Sequence, residues 1–330
     1  MIEQWFDLNG AALQVTAEDG ALLAPLLPYL RELETAPCTD ADFVLSIARV
    51  GSLAPPDEAE VLFEGWLPER IHGRLSRCHS GARLLIVPDR LALEIAPDAT
   101  RARMAVQAGD EALIGGSAGL YVIAAALAAN GQHLLHAAGV RLPGGKGAML
   151  LFAPSGAGKT TAALALALNG FGLLTDDAAV IAPRSGACRE PHRVWGLPRA
   201  LKVHRRTAAM LPRVGAMLPD RWDSDDEQVL TREALASVAD VCAARPIALA
   251  AIGVLGPRAS GPHAIRPIER SQVLVHVATD NVFRAPRGVL ADDLHRFQSI
   301  SRIVVDVPVC ELNVGPDLST LGCAVASALA

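Results

Sequence analysis

The residues best suited to chemistry in this 330-residue chain form one run, Ala153-Pro154-Ser155-Gly156-Ala157-Gly158-Lys159-Thr160-Thr161. A lysine followed at once by hydroxyl side chains, and preceded by small residues and two glycines, suits a nucleotide triphosphate. Backbone N–H groups turn inward around phosphate oxygens, the ammonium of Lys159 reaches the β/γ-phosphates, and the Thr160 hydroxyl ligates Mg²⁺. Ser155, Gly156, Ala157, Gly158, Lys159, Thr160 and Thr161 are therefore the candidate ATP-binding residues. The pattern G-x-x-x-x-G-K-[ST] is met except at its first position, where Ala153 stands in place of Gly. A small residue clears that turn if its φ is negative. A Gly-rich turn without a ligand is the competing reading.

A second pair of chemical groups follows. Asp176 lies 17 positions beyond Lys159 and is adjacent to Asp177, a spacing that fits one short helix and one returning strand. A right-handed strand–helix–strand unit brings the ends of its two strands to the same edge, so both carboxylates are expected beside the bound phosphates. Carboxylates next to phosphate repel it unless Mg²⁺ lies between them. Two of them divide naturally into a metal contact and a base that takes a proton from an attacking hydroxyl. The bland alternative is an Asp-Asp turn facing water. Arg199 and Lys202 are open between phosphate contacts and a solvated basic face that continues into His204-Arg205-Arg206. Arg258, after a buried strand at a Gly-Pro turn, is kept as a phosphoryl contact although a surface turn is the simpler reading.

The elements that must hold these groups can be read around them. Residues 133–140 form a strand that residues 143–147 turn back as a hairpin into the apolar strand before the loop. The loop helix runs from Lys159 to the C-cap pair Asn169-Gly170, and a strand 173–175 ends at the aspartates. Residues 231–244 carry helical spacing, 246–255 a buried strand, 271–277 and 290–301 helices, 304–312 a closing strand and 315–330 a terminal helix. Strands alternating with helices over 133–330 predict an α/β sheet, and the domain that holds it is expected over 111–330. Residues 1–110 read as a smaller α+β module, with strands at 44–48, 83–87 and 90–95, a turn at Pro88-Asp89, a loop at Pro55-Pro56-Asp57, and a helix over 22–33 interrupted by Pro25 and Pro28.

Composition narrows the class. A net charge of −5 argues against a nucleic-acid binder working through bulk charge. Cys38, Cys78, Cys188, Cys242, Cys310 and Cys323 are scattered without zinc spacing and read as reduced thiols of a cytoplasmic protein. His72 and His79 flank Cys78 as surface structure rather than a metal site. No signal peptide is visible at the amino end. From Ala112 to Gly131 no residue is charged, but the run is rich in Ala and Gly, so a buried helix is expected and no membrane span.

Taken together, His136-Ala-Ala-Gly-Val, the loop 153–160 and Gly-Phe-Gly-Leu-Leu-Thr-Asp176-Asp177 resemble the catalytic domain of HPr kinase/phosphorylase. That family comprises bacterial protein serine kinases whose P-loop fold is related to phosphoenolpyruvate carboxykinase. The resemblance covers roughly residues 133–315. It implies a HPr-kinase-like catalytic domain, ATP and Mg²⁺ as cofactors, and a protein or peptide carrying the acceptor serine as partner. It implies that His136 contacts the acidic base, with Asp176 or Asp177 as that base; we lean to Asp176, with Asp177 and Thr160 at the metal. A homo-oligomer is also what the family would suggest. Trp195-Gly196-Leu197-Pro198-Arg199-Ala200-Leu201-Lys202 stands where the family carries its second signature. This run is more like that of divergent HPr-kinase-related proteins, some of which accompany modified-peptide clusters, including lasso peptides. The expected activity is thus serine phosphorylation by ATP. A nucleotide-binding sensor or chaperone-like protein without phosphotransfer is the alternative. A transport ATPase is disfavoured by the absence of a Leu-Ser-Gly-Gly signature.

Overall fold

The computed structural model describes residues 1–51, 60–182, 190–281, 284–285, 288–289 and 291–329. The expected loop at Pro55-Pro56-Asp57 and the thiol of Cys188 lie outside them. The chain folds as two compact units, Met1–His133 with Arg284–Gly288, and Leu134–Phe283 with Val289–Ala330.

The first unit is built on β1 (Ile2–Asp7), β2 (Ala12–Ala17), β3 (Glu34–Thr35), β4 (Phe43–Arg49), β5 (Glu60–Trp66), β6 (His72–Arg77), β7 (Arg83–Val87), β8 (Leu91–Ile95) and β9 (Arg101–Val106). They form one sheet in the order β3-β1-β2-β4-β9-β8-β7-β6-β5. Period-2 burial drives it: Leu13, Val15 and Ala17 of β2 and Leu91, Leu93 and Ile95 of β8 are buried while their neighbours are not. Pro88-Asp89 closes the β7–β8 hairpin, with Asp89 in the left-handed region at φ 58°. The interrupted helix becomes two single turns, α1 (Gly20–Leu23) and α2 (Leu27–Leu30), each continued by a 3-10 turn, with Pro25 and Pro28 in first-turn positions where their missing N–H costs nothing.

Beside the domain boundary expected at residue 110, the first compact unit runs on to His133 and includes α3 (Ser117–Ala129). It buries Ala118, Val122, Ile123, Ala126 and Leu127. Its C-terminal end is tied to the β1–β2 turn by Asn130, which donates to the Gly10 carbonyl, and by Gln132, which donates to the Leu8 carbonyl at 2.8 Å. Glu111–Ala129 is the one stretch among the described residues long and apolar enough to cross a membrane.

The second unit is a mixed α/β structure. Its main sheet holds β10 (His133–Leu135), β11 (Ala138–Arg141), β12 (Ala148–Phe152), β13 (Gly172–Thr175), β14 (Ala179–Ala182) and β15 (Arg193–Gly196). A ribbon of β16 (Leu201–His204) and β17 (Glu227–Leu230) stands apart, and β18 (Asp240–Val241), β19 (Ile247–Leu255) and β20 (Ala264–Pro267) return to the sheet. β23 (Val309–Asn313) lies between β19 and β20, while the two-residue β21 (Arg284–Ala285) and β22 (Gly288–Val289) pair with each other and, but for Val289, fall in the stretch assigned to the first unit. The helices are α4 (Lys159–Leu168), α5 (Arg205–Met210), α6 (Pro212–Gly215), α7 (Arg232–Ala236), α8 (Arg270–Asn281), α9 (Ala291–Asp306) and α10 (Leu321–Ala328). The main path runs β10-β14-β15-β19-β12-β11-β13-β18. Alternation along β12 separates two cores. Met149 and Leu151 face α4 and α10, while Ala148, Leu150 and Phe152 join the core that contains Val273 and Val277 of α8 and Ile300, Ile303 and Val304 of α9.

Several expectations are refined here. The 133–140 strand is broken at His136-Ala137, and β11 alone forms the hairpin with β12, pairing Ala138 with Leu151. The strand ending at the aspartates is not the immediate neighbour of β12. β11 lies between them, antiparallel to both, so β12 and β13 still run in the same direction and end at the same edge. The 231–244 helix shrinks to α7 followed by β18, and the closing strand begins only after Pro308, because 304–306 complete α9.

The sheet closes tightly where β15 meets β13. A Cβ added at Gly196 would lie 2.1 Å from the Leu174 carbonyl oxygen, whereas one at Gly261 meets nothing within 4 Å. Gly196→Ala is expected to lower unfolding stability by about 3 kcal/mol and Gly261→Ala by less than about 0.5 kcal/mol. Urea denaturation of the two variants checks this.

Candidate nucleotide site

The apolar β12 delivers the chain to the loop, and α4 begins directly after it. Gly156 and Gly158 adopt φ of 76° and 106°, left-handed values that an L side chain resists, so these positions need glycine. Gly158 caps α4 without any side-chain bond, which leaves the helix's first N–H groups directed at the cleft. Ala153 is buried and takes the place of the first Gly without strain.

Lys159 is only 7% exposed. Its Nζ donates to the Ala153 carbonyl at 2.6 Å and lies 2.9 Å from His136 Nε2. An ammonium can only donate, so Nε2 accepts and the ring proton sits on Nδ1. Nδ1 is 2.6 Å from Asp177 Oδ1, and Arg199 Nη2 approaches Asp177 Oδ2 at 3.7 Å. A line of polar groups therefore runs from the loop carbonyl through Lys159, His136 and Asp177 to Arg199. Burial pushes the Lys159 ammonium below the ordinary lysine range, against the opposing charges of Asp177, Asp280 and Asp176. Burial pushes Asp177 the other way, but the hydrogen bond from His136, with the charges of Arg199 and Lys159, outweighs it and holds this carboxyl below its usual range.

Asp176 has a different environment. It is 3% exposed; Oδ2 accepts from the Thr160 hydroxyl at 3.2 Å, and Oδ1 is buried with no hydrogen-bond partner among the described residues. Burial raises its pKa to about 6, with Arg199 opposing and Asp177 adding to the rise. Thr175 shapes the turn, its hydroxyl accepting from the N–H groups of Ala178 at 3.1 Å and Asp177 at 3.4 Å. The β14–β15 pairing of Ala179 with Gly196, extended by the Leu197 N–H to the Ala178 carbonyl, sets Arg199 beside the aspartates.

A cleft of about 870 Å³ opens over these groups. His136, Asp176, Asp177, Arg199, Arg258 and the whole run from Ser155 to Thr161 line it. The sequence-predicted residues are thus brought together. Arg258 is an exposed residue of the turn after β19 and also lines the cleft: its Nη2 is 4.0 Å from where a Gly158 Cβ would be, and Nη1 donates to Met210 Sδ at 3.4 Å. Thr161, counted with the phosphate contacts, has a structural partner, its hydroxyl lying 2.8 Å from that of Thr207 and joining α4 to α5. Lys202 also lines the cleft but pairs with Glu227 at 3.5 Å. The Thr160 hydroxyl, expected beside Asp177, meets Asp176 instead, while Asp177 is engaged by His136 and Arg199. Sequence reasoning missed Thr207, Met210 and Asn281, whose positions far along the chain carry no local signal.

Among the described residues no three or more His, Cys, Asp or Glu side chains are grouped to hold a metal alone. A Mg²⁺ bound with nucleotide phosphates needs only one or two protein oxygens, and the Thr160 hydroxyl with the orphaned Oδ1 of Asp176 fits that requirement. No protein-family model matches the chain, and no curated protein matches it.

The raised Asp176 pKa has a thermodynamic sign. Between the ordinary value of 3.8 and about 6 the folded state holds a proton that the unfolded chain releases, so stability falls as pH rises through that window. Asp176→Asn is expected to gain about 3 kcal/mol over the wild type at pH 7.5 in EDTA and nothing at pH 3.5. Denaturant titration at the two pH values measures the difference.

Proposed function

We propose that the second unit is an ATP- and Mg²⁺-dependent phosphotransferase of HPr-kinase-like type that phosphorylates a serine hydroxyl of a protein or peptide. The observation that carries this reading is Asp177, ionised, partly exposed to the cleft, and oriented by His136 and Arg199 beside the Lys159 ammonium. A general base must be deprotonated and within reach of the acceptor hydroxyl. Asp177 is ionised and more open to the cleft than the buried Asp176, so we assign to Asp177 the base role that the sequence leaned to give Asp176.

The other residues divide as follows. The N–H groups from Ser155 to Gly158 and the start of α4 bind the phosphates. Lys159 and Arg258 neutralise charge on the transferring phosphoryl group. Thr160 and Asp176 would hold Mg²⁺, which would supply charge neutralisation to the nucleotide phosphates. Asp177 accepts the serine proton through Oδ2, which Arg199 approaches only to 3.7 Å, while His136 Nδ1–H holds Oδ1 and fixes the carboxylate. The serine class rests on the resemblance of His136, the loop and the Asp pair to that family.

Incubation with ATP, Mg²⁺ and serine-containing peptides, followed by mass spectrometry, tests the reading. Asp177→Asn is expected to lower kcat at least about 100-fold with ATP affinity within about 3-fold. Lys159→Ala is expected to lose ATP binding and transfer together. Measurable ATP binding without phosphate transfer to any serine would instead favour the nucleotide-sensor alternative.

A further inference from the structure

The chain leaves β10 at Leu135 and enters β11 at Ala138. These two strands occupy distant places in the sheet, β10 beside β14 and β11 between β12 and β13. His136 and Ala137 form the corner between them, where neither ladder supplies a partner for the His136 N–H. An unpaired buried donor there would be costly and free to shift. The partner comes from 145 residues away: the His136 N–H donates to Asn281 Oδ1 at 2.7 Å.

Asn281 is itself held from every side. It is 5% exposed, and its Nδ2 donates to the Val277 carbonyl at 3.1 Å. Reversing the amide would oppose two donors at His136 and two acceptors at Val277, so its orientation is determined by its neighbours. Its own carbonyl accepts from Arg296 Nη1 of α9 at 3.3 Å, and α8 is anchored by the fully buried Val273 and Val277. Asp280 adds a negative charge felt at Lys159. The end of α8 therefore reaches the same polar line that crosses the cleft.

We infer that Asn281 is a positioning residue: by fixing the His136 backbone at the β10–β11 corner, it sets the imidazole between Lys159 and Asp177. The inference rests on the phosphotransfer reading for its catalytic consequence, but its structural content stands apart from it. Asn281 touches no reacting atom. It acts through the aim of His136, and hence of Asp177, where a displacement of about 1 Å costs up to about 100-fold in rate.

The test uses the full chain with ¹⁵N-labelled histidine, the His136 signals being identified by their loss in His136→Gln. The wild type is expected to show the single tautomer with its proton on Nδ1. Asn281→Leu, similar in volume but without an acceptor, is expected to give mixed tautomers, to lower kcat about 10- to 100-fold and to leave the KM for ATP within about 2-fold. Asn281→Asp, which keeps the acceptor oxygen, is expected to retain the single tautomer. If the Leu variant does not fold, Asn281→Ser, too short to reach His136, is read by the same criteria. A folded variant lacking the acceptor that keeps the wild-type His136 spectrum overturns the inference, whatever its rate. If the wild type transfers no phosphate, the functional reading fails, while the His136 spectra still decide the positioning role.

Discussion

The site depends on how one buried ammonium is accommodated. Lys159 lies at the first turn of α4 beneath the glycine loop, where burial opposes its charge. The Ala153 carbonyl and His136 Nε2 accept its protons. That second bond has consequences down the line, because a ring nitrogen that accepts from Lys159 places the ring proton opposite Asp177. Removing the lysine would release the tautomer, the tautomer would release the carboxylate, and Arg199 would lose its counter-charge. The loop, the corner at His136 and the Asp-Asp turn are therefore one electrostatic unit, although they come from three separate elements.

The two aspartates show how environment separates identical side chains. Both follow the same strand, and both are raised by burial. Asp177 has a hydrogen-bonded histidine and a nearby arginine, which outweigh that burial. Asp176 has only a threonine hydroxyl on one oxygen and nothing on the other. A carboxylate pair set apart in this way can hold a cation with one member and accept a proton with the other.

The fold supplies these differences through layering. Alternation along β12 sends Met149 and Leu151 toward α4 and α10, and Leu150 and Phe152 toward α8 and α9. The first core fixes the glycine loop and its helix. The second fixes α8, whose last residue secures His136. The site sits at the edge where both layers end, which is where β12 and β13 both terminate.

Much of this was legible along the chain, and the reason is locality. The loop, its strand, its helix and the returning strand to Asp176 span fewer than about 30 residues, the scale on which periodicity, glycine geometry and capping act. Pro88-Asp89 and Asn169-Gly170 were readable for the same reason. What only the tertiary structure decided involves partners far apart or a choice between equivalent neighbours. β11 separates β12 from β13, a matter of strand order that no local pattern encodes. The different environments of Asp176 and Asp177 follow from which one meets Thr160 and which meets His136, set by a turn built on Thr175 and a hairpin that returns Arg199. The first unit includes α3, whose end is secured by hydrogen bonds to residues near the amino terminus. Asn281 lies 145 positions from the backbone group it holds, and nothing near it in sequence announces the contact. Local chemistry specified which groups could act; long-range packing decided which of them face one another.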